Sequence, residues 1–187
     1  AMVTEADGVI HAKVWGILPK ERLEVKSKRE NVDYKKLIAE GACFAEGEEV
    51  IDYDFVERWI LGMAERFGVE VVQVGYDRYN AISTVQKLEA NGMECVEVKQ
   101  HSSVLHPPTK LLREAILKRE FAYDENRLLE INFQNARCTE DTNLNKYVNK
   151  KRSAGKVDMV ISIIIALYLM QADMLSNTEL SWGIQVI

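Results

Sequence analysis

The chain has 187 residues, of which 47% are hydrophobic and 28% are charged. This composition excludes an intrinsically disordered chain and predicts one globular domain spanning residues 1–187. The net charge of -5 argues against a protein that coats nucleic acid nonspecifically, because such proteins usually carry a strong basic excess. It does not exclude an enzyme that acts on nucleic acid, since such an active site concentrates carboxylates.

Cysteine usage and hydropathy predict a cytoplasmic protein without a membrane segment. The three cysteines are far apart in sequence and odd in number, which fits neither a disulfide framework nor a zinc site. The N-terminus lacks the pattern of a secretory signal. The most apolar run, 157–172, is shorter than the ~20 residues needed to cross a bilayer. Ala1 before Met2 is typical of a cloning scar.

The first third of the chain is predicted to begin with a β-hairpin. Residues 5–8 have turn chemistry, and the alternating pattern of residues 9–18 predicts a strand. The charged segment 20–36 is typical of a solvated helix or loop. Asp52 is then predicted to cap a helix with one apolar face, which Gly68 ends.

The middle of the chain predicts a strand-helix-strand unit. Residues 69–76 are rich in β-branched side chains, as in a strand buried on both faces of a sheet. Residues 79–91 fit a helix, which Gly92 ends, and residues 93–98 fit a second strand. This succession predicts that the two strands are parallel and joined by a right-handed crossover.

The last third is predicted to be mostly helical. Residues 102–108 are predicted to form a loop, after which Thr109 caps a helix over 110–119. A further helix is predicted over 126–137, although its asparagines weaken the pattern. The stretch 157–175 is apolar almost all round, so it predicts the best-buried helix of the domain.

Two carboxylates stand where a functional site is expected. Asp77 directly follows the predicted strand 69–76, and ligands of open α/β sheets gather beyond the carboxyl ends of strands. Asp158 lies between Val157 and Met159 at the head of the most apolar helix, where we expect it to be buried. The structural alternatives are a turn or capping aspartate for the first and a helix-dipole charge for the second. A shared Mg²⁺ or Mn²⁺ ion accounts for both carboxylates, and hydrolysis of DNA is the natural chemistry of such ions.

A basic segment precedes Asp158. Residues 149–156 read Asn-Lys-Lys-Arg-Ser-Ala-Gly-Lys. Their cations are predicted to hold a phosphate backbone beside the carboxylates, and they are Lys150, Lys151, Arg152 and Lys156. A solvated charge run is the alternative interpretation, but the position next to Asp158 favours phosphate binding.

Several short motifs occur in the order found in one family. The segment Gly75-Tyr76-Asp77-Arg78-Tyr79-Asn80-Ala81 resembles the strand-end motif of phage terminase large subunits of the HK97-like group. The same order continues in Ile17-Leu18-Pro19, Gln100, Pro107-Pro108-Thr109-Lys110 and Lys156-Val157-Asp158. Each motif is short, but together they cover nearly the whole chain, and their order and spacing are fairly specific.

The resemblance implies a ribonuclease H-like α/β fold, with a mixed central sheet flanked by helices. It implies an endonuclease that cuts concatemeric double-stranded viral DNA with Mg²⁺ or Mn²⁺, using Asp77 and Asp158 as catalytic metal ligands. Arg78 and Lys156 are the implied phosphate contacts. The implied partners are the small terminase subunit and the portal protein. The ATPase motor of the family is absent, because no Walker-type phosphate loop occurs in the chain.

The chain departs from the family pattern at its start. The family's first acidic ligand lies on an opening strand that should precede residues 2–18, and that strand is missing from this sequence. Its loss would leave strand edges unpaired, and pairing with a second copy is one hypothesis for completing the sheet. Two functional hypotheses follow: an active nuclease domain, or an inactive prophage remnant or truncated domain that keeps the fold and weak DNA binding. A nucleotide-binding module is disfavoured, because no glycine-rich loop follows a strand.

Overall fold

The structure is a computed structural model that describes residues 1–79 and 81–182. This part of the chain contains nine β-strands, eight α-helices and a 3-10 helix at Lys20–Arg22. The strands are β1 (Met2–Ala6), β2 (Val9–Lys13), β3 (Gly16–Leu18), β4 (Cys43–Ala45), β5 (Val74–Tyr76), β6 (Cys95–Glu97), β7 (Phe121–Tyr123), β8 (Cys138–Glu140) and β9 (Lys146–Val148). The helices are α1 (Leu23–Glu30), α2 (Tyr34–Ala39), α3 (Tyr53–Leu61), α4 (Met63–Phe67), α5 (Ile82–Ala90), α6 (Ser102–Lys118), α7 (Arg127–Asn135) and α8 (Asp158–Trp182).

The predicted hairpin at the start of the chain is confirmed. Asp7 and Gly8 form its turn with φ angles of 53° and 76°, and two positive φ angles match the twist of hairpin strands. β1 and β2 are antiparallel, with Met2 opposite Lys13. β2 also pairs in parallel with β7, so β1 lies at the edge of a three-stranded sheet.

The strand predicted over residues 9–18 is in fact two strands, β2 and β3, in different sheets. The break is at Val14, whose carbonyl accepts a hydrogen bond from Nδ2 of the buried Asn126 (3.0 Å). The same amide donates to the carbonyl of Ala42 (3.3 Å). A side chain therefore takes the place of a neighbouring strand here, and β3 pairs in parallel with β4 instead.

β5 and β6 form the predicted parallel pair, connected through α5. Val74 lies opposite Cys95 and Tyr76 opposite Glu97. The prediction of a strand over 69–76 buried on both faces is wrong in extent, since β5 has three residues and Val72 is 62% exposed. A β-branched composition favours extended backbone, but the length of a strand also depends on its partner, and β6 has only three residues.

The loop predicted at 102–108 is wrong, and so is the cap predicted at Thr109, because α6 includes both Pro107 and Pro108. His101 caps this helix, since its Nδ1 accepts a hydrogen bond from the N–H two residues later (3.3 Å). A proline inside a helix removes a backbone hydrogen bond and costs about 3 kcal/mol. Packing offsets that cost here, because α6 packs against α8 and β9 and Pro108 is fully buried.

The buried helix predicted at 157–175 is confirmed as α8. It packs against α6, α7, β1 and β5. Its fully buried side chains lie in the hydrophobic core, where each contributes about 1.5–3 kcal/mol, and they include Val160, Ile163, Ile164 and Leu167. Residues Asp158–Leu175 are long and apolar enough to cross a membrane by length and composition alone, but these contacts are those of a core helix.

A buried asparagine joins α7 to the start of α8. Asn132 is 3% exposed, and its Oδ1 accepts a hydrogen bond from the backbone N–H of Met159 (3.1 Å). Its Nδ2 donates to the carbonyl of Leu128 within α7 (2.9 Å). The first N–H groups of a helix lack partners inside that helix, so Asn132 satisfies one that is buried. The helix predicted over 126–137 is therefore confirmed, and one of its asparagines has a structural role.

Gly75 determines how closely β5 approaches α8. A methyl group added at this position would lie 2.6 Å from Cγ2 of Ile165 and 3.0 Å from Cδ1 of Leu169. Carbon atoms in a packed protein interior do not approach this closely. The absence of a side chain at Gly75 is therefore a condition for the observed packing of the strand on the helix.

We expect Asn132→Ala to lower the free energy of unfolding by about 1–3 kcal/mol, because the buried N–H of Met159 loses its acceptor. Gln134→Ala, at an exposed position of the same helix, is the matched control and should change it by less than about 0.5 kcal/mol. Urea denaturation measures both. Equal changes in the free energy of unfolding for the two variants would show that the hydrogen bond from Met159 to Asn132 does not hold α8 in place.

We expect Gly75→Ala to destabilise the fold by about 1–3 kcal/mol through overpacking against α8. The same substitution should cost less in an Ile165→Ala background, because the nearest methyl group is then removed. A double-mutant cycle of urea denaturations measures this coupling. Strict additivity of the two substitutions would contradict the contact between the strand and the helix.

Candidate active site

Asp77 lies directly after β5, at its carboxyl end, as predicted. Its side chain is half-buried, and Oδ1 accepts a hydrogen bond from the backbone N–H of Tyr79 (3.3 Å). One carboxylate oxygen therefore stabilises the turn that follows the strand. Arg78, the neighbouring phosphate-binding candidate, is exposed at the same end of β5.

Asp158 is the first residue of α8, but the expectation that it is buried is wrong. Its side chain is 65% exposed, whereas Val157 and Met159 on either side are buried. Successive helical residues point about 100° apart, so the apolar neighbours face the core while the carboxylate faces solvent. Oδ1 lies 3.6 Å from Nζ of Lys150, and the positive end of the helix dipole also favours the charge.

A cleft with a volume of about 260 Å³ opens beside Asp158. Helices α1, α2, α7 and α8, together with β3, contribute to its walls. Its polar and charged lining residues are Lys26, Glu30, Tyr34, Asn132, Lys156, Asp158 and Ser162. Two carboxylates and two lysines thus meet in one concave site.

The sequence interpretation missed Glu30, the second carboxylate of this cleft. Its side chain is 13% exposed, Oε1 accepts a hydrogen bond from Arg29 (2.8 Å), and Oε2 accepts one from the hydroxyl of Tyr34 (2.6 Å). Burial raises the pKa of the Glu30 carboxyl, but these hydrogen bonds, with Lys26 and Lys156 nearby, outweigh it and lower the pKa overall. Glu30 is therefore negatively charged at neutral pH.

Tyr34 donates one of the two hydrogen bonds that Glu30 accepts. The phenol is 3% exposed, and burial, followed by the hydrogen bond to Glu30, raises its pKa far above the usual range. Tyr34 therefore stays protonated and donates to the carboxylate. No motif in the charged segment 20–36 indicated this pair, because the left-handed backbone at Asn31 separates the two residues and sequence spacing alone does not show that they meet.

The basic segment 149–156 forms turns that the neighbouring elements hold in place. Oδ1 of Asn149 accepts hydrogen bonds from the N–H groups of Lys151 (3.0 Å) and Arg152 (3.3 Å). The hydroxyl of Ser153 accepts one from the N–H of Arg137, which ties the segment to the end of α7 (3.2 Å). Lys151 and Arg152 are exposed, so their charges face solvent.

The structure brings together some of the predicted residues and separates others. Asp158 and Lys156 line the cleft, and Lys150 is paired with Asp158. Asp77 and Arg78 lie at the end of β5, outside the lining of the cleft. Within residues 1–79 and 81–182 there is no group of three or more histidine, cysteine, aspartate or glutamate side chains arranged to hold a metal ion.

One helix nevertheless supports both candidate carboxylates. Asp158 is at the first position of α8, and Gly75, two residues before Asp77, contacts Ile165 on the same helix. Seven residues of helix correspond to about 10 Å along its axis. The position of Asp77 relative to Asp158 therefore depends on how β5 packs against α8.

The comparisons with known proteins agree with the resemblance. The family model for the terminase large subunit, endonuclease domain, matches residues 1–173. A comparison with curated proteins found no match. Among solved structures, the HK97 bacteriophage large terminase superposes with a TM-score of 0.77, at 21% identity over 89% of this chain. The large terminase nuclease from thermophilic phage G20c superposes with a TM-score of 0.50, at 18% identity over 63% of this chain.

These similarities establish the fold and the family. The chain spans 35% of the HK97 protein and 62% of the G20c nuclease, and at such identities the superpositions show a common architecture. The predicted ribonuclease H-like mixed α/β fold is confirmed. Because the family model covers residues 1–173 of 187, this chain belongs to the terminase large subunit endonuclease domain family.

Proposed function

We propose that residues 1–187 act as one metal-dependent endonuclease domain of a phage or prophage terminase large subunit. Its substrate is concatemeric double-stranded DNA, cut during genome packaging in the cytoplasm of the bacterial host. Membership of the endonuclease family supports this reaction class. The observation that carries the proposal is the exposed Asp158 carboxylate, which borders a cleft and has Lys150 and Lys156 beside it.

The carboxylates fit a hard divalent cation, Mg²⁺ or Mn²⁺. Mg²⁺ usually binds through one or two carboxylates and completes its coordination with waters and substrate phosphate, so Asp77 and Asp158 are sufficient in number. We assign both residues as catalytic metal ligands. When bound, such ions activate water for attack on a phosphodiester and stabilise the leaving oxygen.

The cations of the chain bind the DNA backbone in this proposal. Lys150 balances the charge of Asp158 in the free protein and is placed to contact a phosphate oxygen when DNA enters. The remaining candidates contact phosphates on either side of the metal ligands, and they are Arg78, Lys151, Arg152 and Lys156. All four are exposed, as contact with a duplex requires.

A catalytically inactive domain that keeps the fold and weak DNA binding is the second candidate. The described residues, 1–79 and 81–182, contain no cluster of three or more metal-ligating side chains. This observation bears on activity and leaves the family assignment unchanged.

The proposed partners follow from the family and from the strand edges. The family resemblance suggests the small terminase subunit and the portal protein. A second copy of the chain is a further candidate, because β1 is an edge strand and β5 pairs with β6 alone among the described strands. Edges of this kind accept another strand readily.

We expect the chain to cut supercoiled plasmid in the presence of Mn²⁺, and Asp77→Asn and Asp158→Asn each to slow cutting by at least about 100-fold. Residues that merely orient metal ligands already contribute about 10–100-fold, so the ligands themselves should contribute more. Glu140→Gln, which removes an exposed carboxylate on β8, is the control and should cut normally. Cutting that survives both aspartate substitutions would refute the assignment, and no cutting by any variant would favour the inactive domain.

We expect light scattering to give a mass in solution near twice the 21.4 kDa of the monomer, because a second copy can cover the edge of β1. Replacing Glu5 by proline removes an N–H that faces away from β2, because the opposite residue Ile10 donates to Glu120 on its other side, and this should weaken the association. A strictly monomeric species at high protein concentration would contradict pairing between copies.

A further inference from the structure

We propose that α1 forms the second wall of the DNA-binding cleft, and that Lys26 contacts the phosphate backbone from the side opposite the basic segment 149–156. This inference rests on the proposed function, because it assigns a further substrate contact to the same cleft. None of the residues singled out from the sequence lies on α1.

α1 packs one hydrophobic side chain, the partly buried Leu23, against the core. It contains no buried residue, and its sequence is Leu-Glu-Val-Lys-Ser-Lys-Arg-Glu. Lys26 and Glu30 are four residues apart, so they lie on one face of the helix, and both line the cleft that contains Asp158. Lys26 is half-buried in this wall, whereas Lys28 is exposed.

The charge of Lys26 is available to a ligand. Glu30 lies on the same face of α1, and the hydrogen bonds to its two oxygens come from Arg29 and Tyr34. Within residues 1–79 and 81–182, no ion pair involves Lys26. Lys26 nevertheless lies close enough to Glu30 to help lower the pKa of that carboxyl. Lys26 therefore lines the cleft without a salt bridge to any carboxylate of the described residues.

Lys156 supplies a matching positive charge from another part of the chain. It lines the same cleft, two residues before Asp158, and it also contributes to the lowered pKa of Glu30. Two lysines from elements far apart in sequence thus border a concave site that contains the candidate metal ligand. This arrangement suits an anionic strand with a phosphate at Asp158, since ammonium groups bind phosphates largely as point charges.

The experiment measures binding of a fluorescent DNA duplex by anisotropy, with EDTA present to prevent cutting, over a series of salt concentrations. Lys26→Ala should reduce the slope of log K against log salt by about 0.9, the value for one lost phosphate contact. At 0.1 M salt this corresponds to a roughly eightfold loss of affinity. Lys26→Arg should restore most of the binding, because it keeps the charge.

Lys28→Ala is the matched control, since it removes the same charge from the same helix at an exposed position near Glu24 and away from the cleft lining. It should leave the salt slope unchanged. A salt slope that Lys26→Ala leaves unchanged, with Lys156→Ala still weakening binding, would overturn the role of α1 while the proposed function stands. An equal reduction by Lys26→Ala and Lys28→Ala would overturn the specific contact at Lys26. If the unsubstituted chain does not bind the duplex at all, the proposed function fails and this inference fails with it. Circular dichroism verifies that each variant is folded.

Discussion

The burial of α8 is the constraint on which the rest of the structure depends. This helix is in contact with α6, α7, β1 and β5, so it cannot shift without disturbing elements on several sides. Oδ1 of Asn132 accepts a hydrogen bond from the backbone N–H of Met159 and so fixes the first turn of α8. The preceding residue, Asp158, is thereby held at the surface beside a cleft, with its charge at the positive end of the helix dipole. The buried hydrogen bond between Asn132 and Met159 therefore also sets the position of Asp158, a candidate metal ligand.

Stability and the proposed chemistry are coupled through the same helix. Asp77 follows β5, and β5 is located by the close contact of Gly75 with Ile165. The basic segment that precedes Asp158 is tied to α7 by Arg137 and Ser153. Metal-ion catalysis depends on ligands held in fixed geometry, and the scaffold behind the two proposed ligands is the hydrophobic core. Glu30 and Tyr34, joined by a hydrogen bond, also line this cleft.

The sequence correctly predicted features that depend on residues close together in the chain. Asp52 caps α3 as expected, because its Oδ1 accepts a hydrogen bond from the N–H of Asp54 (2.9 Å). The turn at Asp7 and the parallel pairing of β5 with β6 also follow from short motifs. The extent of α6 could not be predicted, since burial of Pro108 overrides the usual rule that proline ends a helix. The exposure of Asp158 was mispredicted from its apolar neighbours, and Glu30 resembled any carboxylate in a solvated charge run. These outcomes depend on which face of a helix meets the core, and contacts distant in sequence decide that.

Asp77 and Asp158 are proposed to hold one divalent-cation site, and calorimetric titration of Mn²⁺ tests this most directly. We expect the unsubstituted chain to show a saturable binding event, and Asp77→Asn and Asp158→Asn each to remove that same event, because a cation shared by two carboxylates loses a ligand in either case. Mn²⁺ binding that is unchanged by Asp77→Asn but lost in Asp158→Asn would contradict a shared site.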